Sequence, residues 1–127
     1  MKYLLIAGSR TFEDRDLFNR VTEEILDGDE RFTVIVEGGA AGADTMAREY
    51  AEAHDMKYEE FKPDWKQYGR AAGPKRNDKM IQFIKERNGT ALYFWDEESK
   101  GTKQCIDSAK RKGIEISVWS TKRGGFL

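Results

Sequence analysis

Residues 32–51 read FTVIVEGGAAGADTMAREYA, and their hydrophobic periodicity changes at a glycine-rich turn. The run Phe32–Val36 is apolar and rich in β-branched residues, which is typical of a buried strand. From Ala43 to Ala51 the apolar residues recur three and four positions apart, which is the spacing of an amphipathic helix. The stretch therefore predicts a strand, a tight turn and a helix, the repeating unit of a parallel α/β sheet.

The same alternation runs along the rest of the chain. Strands are predicted at Lys2–Ala7, Phe32–Val36, Met56–Phe61, Thr90–Phe94 and Ile114–Val118, with helical stripes of apolar residues between them. The third strand carries several charges, so we expect it at a sheet edge. Right-handed crossovers then predict an α/β fold, a single three-layer Rossmann-like domain over residues 1–120 with a mainly parallel sheet of about five strands. Residues 121–127 are expected to form a C-terminal tail that is loose or docked on a partner.

Local signals place three further boundaries. Asp64–Tyr68 is expected to form one helical turn. Pro74 is expected in the first turn of the next helix, where its missing N–H is not needed. Gly113 is expected to end the last helix, because glycine readily adopts the backbone conformation of a C-terminal cap.

Length and composition narrow the class of protein. A chain of 127 residues with 39% hydrophobic residues fits one domain with a true core. The apolar start is far shorter than the roughly 18 residues of a membrane span, and it lacks a signal-peptide cleavage site. Cys105 is the single cysteine, which excludes an intrachain disulfide. We therefore expect a cytoplasmic protein in which Cys105 is an inert buried thiol, and lone His54 has no metal-binding partners.

Charge is divided unevenly, although 22 basic residues nearly balance 23 acidic ones. Residues 1–61 are net acidic and residues 62–127 are net basic. The basic residues concentrate in one segment, which contains Lys62, Lys66, Arg70, Lys75, Arg76 and Lys79. One interpretation is a solvated surface. The other is a local cluster of basic residues that binds a small anion, since binding of a nucleic-acid duplex favours a broad, positively charged face.

Four short stretches with anion-binding chemistry fall where a strand should end and a helix begin. They are Gly8–Arg10, Gly38–Asp44, Ala72–Asn77 and Ser99–Thr102. In open parallel sheets, ligands bind outside the carboxyl ends of the strands, so these stretches can line one pocket. The pattern predicts a pocket for a phosphate-bearing ligand of nucleotide type.

The turn at 38–44 is the strongest of these elements. Gly38, Gly39 and Gly42 permit positive φ and close approach of a ligand, and the following helix directs free amides at that space. The alternative is a turn whose glycines serve packing alone. Asp44 has two interpretations as well: it binds a ribose hydroxyl, or it stabilises the helix dipole without a ligand. The turn matches neither the G-x-G-x-x-G fingerprint nor a P-loop.

The remaining candidates come from the other stretches. Arg10 can grip phosphate oxygens beside the Ser9 hydroxyl, or it is a surface residue near a helix cap. Trp65 and Trp95 can stack on a base, or they belong to the core. The predicted ligand-binding residues are Gly8, Ser9, Arg10, Phe12, Gly38, Gly39, Gly42, Ala43, Asp44, Trp65, Gly73, Arg76, Asn77, Trp95, Ser99, Gly101 and Thr102.

The order of these motifs resembles a known family over almost the whole chain. The motifs are GSR at 8–10, GGAAGAD at 38–44, PDW at 63–65, AGPKRN at 72–77, FW at 94–95 and GT at 101–102. They resemble the YspA-type, cpYpsA-related branch of the SLOG superfamily. The resemblance implies a Rossmannoid domain that binds a nucleotide or nucleotide-derived ligand such as ADP-ribose, NAD or an AMP-like molecule, as a sensor or sequestering domain. It implies no particular reaction and no certain cofactor.

Two relatives within that superfamily suggest alternative functions. Lonely Guy phosphoribohydrolases use a Pro-Gly-Gly-x-Gly-Thr-x-x-Glu segment, but here Glu37 replaces the proline and Met46 stands where the catalytic glutamate falls. If the chain is such an enzyme, Glu37 and Asp44 are the candidate catalytic residues. DprA binds single-stranded DNA, which a pI near 5.9 disfavours here. Related nucleotide-binding domains often dimerise through helices, so a homo-oligomer remains open.

Overall fold

The central sheet of this protein has two apolar faces, because its inner strands carry hydrophobic residues at consecutive positions. Leu4 and Ile6 belong to one buried cluster, and Leu5 and Ala7 belong to another on the opposite face. Helices must therefore cover both faces of the sheet.

The computed structural model describes residues 1–29 and 31–127. Within these residues the strands are β1 (Lys2–Gly8), β2 (Phe32–Glu37), β3 (Lys57–Glu60), β4 (Thr90–Trp95), β5 (Glu115–Ser120) and β6 (Gly125–Phe126). The helices are α1 (Arg15–Asp27), α2 (Ala43–Ala53), α3 (Trp65–Tyr68), α4 (Ala72–Glu86) and α5 (Lys100–Arg111), and a 3-10 turn over Gly69–Ala71 links α3 to α4. Among the helices of this described part, none is long and apolar enough to cross a membrane.

The helices form two layers, one on each face of the sheet. Phe18 of α1 and Tyr50 of α2 are buried against one face. Ile81 of α4 and Cys105 of α5 are buried against the other. The three-layer Rossmann-like architecture predicted from the sequence is confirmed.

The strand order determines where a crevice opens. It is β3-β2-β1-β4-β5-β6, and every pairing is parallel except the last. The chain proceeds outward from β1 through β2 to β3, and then returns to place β4 on the other side of β1. The connections after β1 and β4 therefore diverge, which opens a crevice at the carboxyl ends of these two strands.

The local boundary signals are largely confirmed. Asp64 caps the short helix α3 by accepting a hydrogen bond from the Gln67 amide at 3.0 Å. Pro74 lies in the first turn of α4, and Gly113, with φ of 71°, follows the end of α5. The third strand is exposed and lies at the sheet edge, as predicted.

Residues 121–127 correct the expectation of a loose tail. The Thr121 amide donates to the Trp95 carbonyl at 2.9 Å, and β6 pairs antiparallel with β5 as a sixth strand. The Phe126 ring packs edge-on against Trp119, with ring centroids 5.0 Å apart. A strand of two residues has no hydrophobic periodicity, so the sequence pattern could not reveal it.

Gly8 shows why the loop after β1 can reach the crevice. A Cβ atom at this position would lie 2.3 Å from the Phe94 carbonyl oxygen and 2.9 Å from the Ala43 Cβ. Glycine is therefore required for β1 to lie this close to both β4 and the start of α2.

We predict that Gly8→Ala lowers the free energy of unfolding by about 1–3 kcal/mol or more, because the added methyl group collides with backbone. Chemical denaturation measures the effect. Gly101→Ala is the matched control, since no atom lies within 4 Å of the position its Cβ would take. Its stability should equal or slightly exceed that of the wild type. Equal stability of the wild type and Gly8→Ala would contradict the close approach.

Candidate functional site

A cavity of about 430 Å³ opens at the carboxyl ends of β1 and β4. It is bounded by the first turns of α2, α4 and α5, by α3 and by the loop after β1. The cavity gathers eleven of the residues predicted from the sequence, namely Gly8, Ser9, Arg10, Asp44, Trp65, Gly73, Arg76, Asn77, Ser99, Gly101 and Thr102. The convergence of four separate stretches on one space is therefore present in the structure.

The other predicted residues lie outside the cavity lining, which contains neither Phe12, Gly38, Gly39, Gly42, Ala43 nor Trp95. Phe12 is buried and stacks on Phe94, with ring centroids 5.0 Å apart. Ala43 is fully buried in the same core. Trp95 donates from its indole nitrogen to the Ser99 carbonyl at 3.1 Å, so it supports the loop that precedes α5.

The glycines of the 38–42 turn accommodate other parts of the protein. A Cβ on Gly38 would lie 2.7 Å from Arg76 Nη1 and 2.8 Å from Asp44 Oδ2. Gly42 has φ of 74°, and a Cβ there would lie 2.4 Å from the Ser9 carbonyl oxygen. The absence of a side chain at these two positions therefore serves packing within the protein, as the packing alternative requires.

The amides of this turn also have partners within the protein. Asp44 Oδ2 accepts hydrogen bonds from the Gly38 amide at 3.0 Å and the Ala40 amide at 3.4 Å. Glu37 Oε1 accepts one from the Gly39 amide at 2.7 Å. Two side-chain carboxyl groups thus occupy the positions where the sequence predicts a ligand anion.

Asp44 is the carboxylate of this turn that faces the cavity. Its side chain is only 4% exposed, and burial raises its pKa to about 6 although the nearby Arg76 guanidinium opposes the rise. The Asp44 carboxylate is therefore predominantly ionised at neutral pH and is a negatively charged part of the cavity wall.

Arg76 and Asn77 connect three elements around the cavity. Arg76 donates from Nη1 to the Gly38 carbonyl and from Nε to Asn77 Oδ1, the latter at 2.8 Å. Asn77 in turn donates to Gln104 Oε1 of α5 at 2.8 Å. The pair therefore ties α4 to the glycine turn and to α5, a role that the sequence did not indicate.

Among the described residues, Gly42 at the start of α2 makes no side-chain capping hydrogen bond, and the first turn of α5 is a second open helix end at the cavity. Its cap residue Ser99 makes no side-chain capping hydrogen bond, and the space above Gly101 is empty to 4 Å. Asp96 Oδ1 accepts from the amides of Glu98 and Ser99 at 2.9 and 2.7 Å, which holds the preceding loop in place. Because the first amides of a helix have no intrahelical partners, this turn can donate to an anion.

The cavity also has lining residues that sequence reasoning missed. They are Ala7, Thr11, Ala40, Pro74, Met80, Asp96, Gln104 and Cys105. Asp96 could have been found from the sequence, because an aspartate three residues before the serine at a helix start is typical of a turn. Cys105 is buried at the cavity wall, and burial raises the pKa of its thiol to about 11.

Comparison with known proteins identifies the family. The model of the YspA, cpYpsA-related SLOG family matches residues 3–68. The chain is also 31% identical to the Gene 61 protein of Mycobacterium phage D29 over 127 residues, with 96% of this chain and 99% of that protein covered. The chain belongs to the YspA, cpYpsA-related SLOG family. No solved structure matches it significantly. Membership of the SLOG family indicates a nucleotide-related role.

Within this SLOG-family fold, Glu37 is a buried carboxyl group that does not line the cavity. It is 1% exposed, and its Oε2 has no hydrogen-bond partner among the described residues. Burial raises its pKa to about 8, and the neighbouring carboxylates of Glu60 and Asp44 contribute to the rise. At neutral pH the Glu37 carboxyl is therefore mainly protonated.

This shift predicts a pH-dependent stability. A carboxyl whose pKa is raised from 4.5 to about 8 on folding binds its proton more tightly in the folded state, so the free energy of unfolding falls as pH rises towards 8. Between pH 6 and 8 this loss should be clear in the wild type and much smaller in Glu37→Gln. Urea denaturation at both pH values measures it.

The control for this experiment is Glu24→Gln, which changes an exposed glutamate on α1. It should keep the wild-type decrease in stability. A decrease of the same size in Glu37→Gln would show that the pH dependence arises elsewhere.

Proposed function

We propose that this protein binds a phosphate-bearing nucleotide or nucleotide-derived ligand in the cavity, as a sensor or sequestering domain. The observation that supports this proposal is the cavity of about 430 Å³ in a SLOG-family fold. Arg10, the first turn of α5 and the exposed Trp65 ring line it. This volume lies in the range of small-molecule sites. ADP-ribose, NAD and AMP-like molecules are the ligand candidates.

Arg10 and the first turn of α5 are the proposed phosphate-binding groups. Arg10 is exposed at the cavity mouth, and its guanidinium carbon lies 5.9 Å from the centre of the Trp65 ring. A guanidinium can bind phosphate in bidentate fashion, and helix amides add donors with a favourable dipole. We do not assign the phosphate to the glycine turn, because the Gly38, Gly39 and Ala40 amides already bind Asp44 and Glu37 and the Asp44 carboxylate would repel it.

Trp65 is the proposed surface for a base or a second ring. It lines the cavity and yet is 49% exposed, so a planar ligand could cover its free face. Burying such a ring contributes to binding both through apolar area and through stacking geometry. Trp95 is not assigned this role, since it lies outside the lining.

The first test is a thermal-shift screen of mono- and dinucleotides, with ADP-ribose and NAD included. A ligand that binds only the folded state stabilises it by about 2.7 kcal/mol at one hundred times its dissociation constant. We expect at least one nucleotide-type ligand to raise the melting temperature. Absence of any shift at millimolar concentration would count against the proposed function.

Substitution of the two arginines should separate binding from stability. Arg10→Ala should weaken a phosphate-bearing ligand by roughly ten- to one-hundredfold and leave the melting temperature unchanged, because a charge-assisted hydrogen bond is lost. Arg76→Ala should lower the melting temperature as well, since Arg76 binds the Gly38 carbonyl and Asn77. Calorimetry measures the affinities, with the exposed Arg20→Ala of α1 as a control. Wild-type affinity in Arg10→Ala would place the phosphate elsewhere.

Binding without hydrolysis is the form of activity that we propose. Met46, which stands where phosphoribohydrolases have their glutamate, is 5% exposed and packs in the core, and its side chain can neither activate water nor stabilise positive charge. Glu37 lies outside the cavity lining. Asp44 is thus the one candidate catalytic residue from the sequence that lines the described cavity.

Incubation with nucleoside monophosphates and ADP-ribose should therefore release no free base or ribose phosphate beyond a buffer control. Chromatography detects either product. Multiple turnovers that disappear in Asp44→Asn but persist in the control Asp107→Asn, a partly exposed position outside the cavity lining, would overturn the binding-only proposal and favour an N-glycosidic hydrolase.

A further inference from the structure

Asp44 gives the cavity an acceptor that a phosphate cannot use. Its Oδ2 receives the Gly38 and Ala40 amides and the Gly8 amide also lowers its pKa by hydrogen bonding, whereas a carboxylate can accept about four hydrogen bonds in all. Among the described residues, the hydrogen bonds of Arg76 go from Nη1 to the Gly38 carbonyl and from Nε to Asn77 Oδ1, and Arg76 acts on Asp44 through its charge. The Asp44 carboxylate therefore has capacity for a ligand group that donates a hydrogen bond.

The charge of Asp44 decides which part of a ligand can lie against it. Phosphate oxygens are acceptors and carry negative charge, so they are repelled from an ionised carboxylate. Hydroxyl groups donate hydrogen bonds, and a bond to a charged acceptor is stronger than one to a neutral acceptor. The ligand must then direct a hydroxyl towards α2 and its phosphate towards Arg10 and α5.

The sheet topology separates Asp44 from the first turn of α5 by a distance that a sugar phosphate can span. Asp44 lies in the first turn of α2, which follows β2, and the open turn of α5 follows β4. β2 and β4 flank β1, so their ends lie roughly 10 Å apart at the level of the sheet. A sugar phosphate with hydrogen bonds of roughly 3 Å at each end spans such a gap.

We infer that Asp44 is a specificity residue that binds the ribose hydroxyls of the ligand, so that the site selects ribonucleotides over 2′-deoxyribonucleotides. This inference rests on the proposed function. It adds the orientation of the ligand, with the sugar hydroxyls at the glycine turn and the phosphate at the first turn of α5. A deoxyribonucleotide would leave a buried carboxylate without the donor that compensates for its desolvation.

The test compares matched pairs of nucleotides by calorimetry at pH 7.5. The pairs are AMP and dAMP, GMP and dGMP, and CMP and dCMP. Each ribonucleotide that binds should do so roughly ten- to one-hundredfold more tightly than its deoxy partner, which is the range for a hydrogen bond to a charged group. Equal dissociation constants within a pair that binds, or a preference that follows the base and ignores the sugar, would overturn the inference and leave the proposed function intact. Failure of every nucleotide and of ADP-ribose and NAD to bind would overturn both.

Asp44→Asn provides the matched variant, because it removes the charge and keeps the shape. The ratio of the two dissociation constants should fall to within about threefold of unity, as expected when a charge-assisted bond becomes a neutral one. Asp107→Asn, which removes a partly exposed carboxylate of α5 outside the cavity lining, should retain the wild-type ratio. An undiminished ratio in folded Asp44→Asn would assign the discrimination to another residue.

A pH series on the wild type tests the same point without a substitution. Asp44 takes up a proton near pH 6, so the ratio should shrink as the pH falls from 7.5 to 5. The ratio is the proper readout because the phosphate group itself titrates near pH 6 and affects both partners equally. A ratio that stays constant throughout would contradict the role of the charge.

Four groups influence the charge of Asp44 from the elements around it. They are Arg76 of α4, Glu37 of β2, Tyr93 of β4 and Cys105 of α5. Glu37 titrates near pH 8 and is the one that changes charge close to the range of the series. Repeating the series in Glu37→Gln separates the two carboxyl groups: the ratio should still shrink through pH 6, and loss of that transition would assign it to Glu37.

Discussion

Asp44 accepts two backbone hydrogen bonds from the glycine turn, and Arg76 donates to the Gly38 carbonyl of the same turn. These contacts join the end of β2 to the starts of α2 and α4. A Cβ on Gly38 would lie within 3 Å of both partners, so a side chain there would displace the Asp44 carboxylate and the Arg76 guanidinium from these positions. The shape of the cavity floor depends on this set of contacts, and Asn77 extends it to α5.

The same contacts give the cavity its electrostatic polarity. Asp44 carries a negative charge that the Arg76 guanidinium partly offsets, Asp96 adds a second carboxylate before α5, and Arg10 adds positive charge. A glycine turn with free amides would have attracted phosphate to the opposite wall. Because the Asp44 and Glu37 carboxyl groups occupy the Gly38, Gly39 and Ala40 amides, these three donors serve the structure of the turn.

The family relationship and the local chemistry support a consistent interpretation. SLOG membership indicates a nucleotide-related role, and the cavity lies at the crevice where open α/β sheets bind ligands. The segment departs from that of phosphoribohydrolases: Met46, in place of the catalytic glutamate, packs in the core, and Glu37, in place of the proline, is buried with a raised pKa. These positions support the proposal that the protein binds its ligand without cleaving it.

Much of this could be predicted because it depends on local pattern. Hydrophobic periodicity determined the order of strands and helices, and the position of motifs at strand ends indicated where Ser9, Arg10, Gly101 and Thr102 would meet. The strand β6 could not be predicted from periodicity, because it has two residues and forms by pairing with β5. Trp65 and Trp95 look equivalent in sequence, yet only Trp65 lines the cavity.

By itself, the sequence determined the α/β class, the parallel order of its units and the edge of the sheet where the motifs converge, since these follow from side-chain periodicity and from the chirality of crossovers. Tertiary structure alone decided how the glycines are used. Whether a turn amide is free for a ligand depends on which side chains reach it from elsewhere in space. Here Asp44 and Glu37 reach those amides, and Arg76, 38 residues away along the chain, reaches the carbonyl beside them.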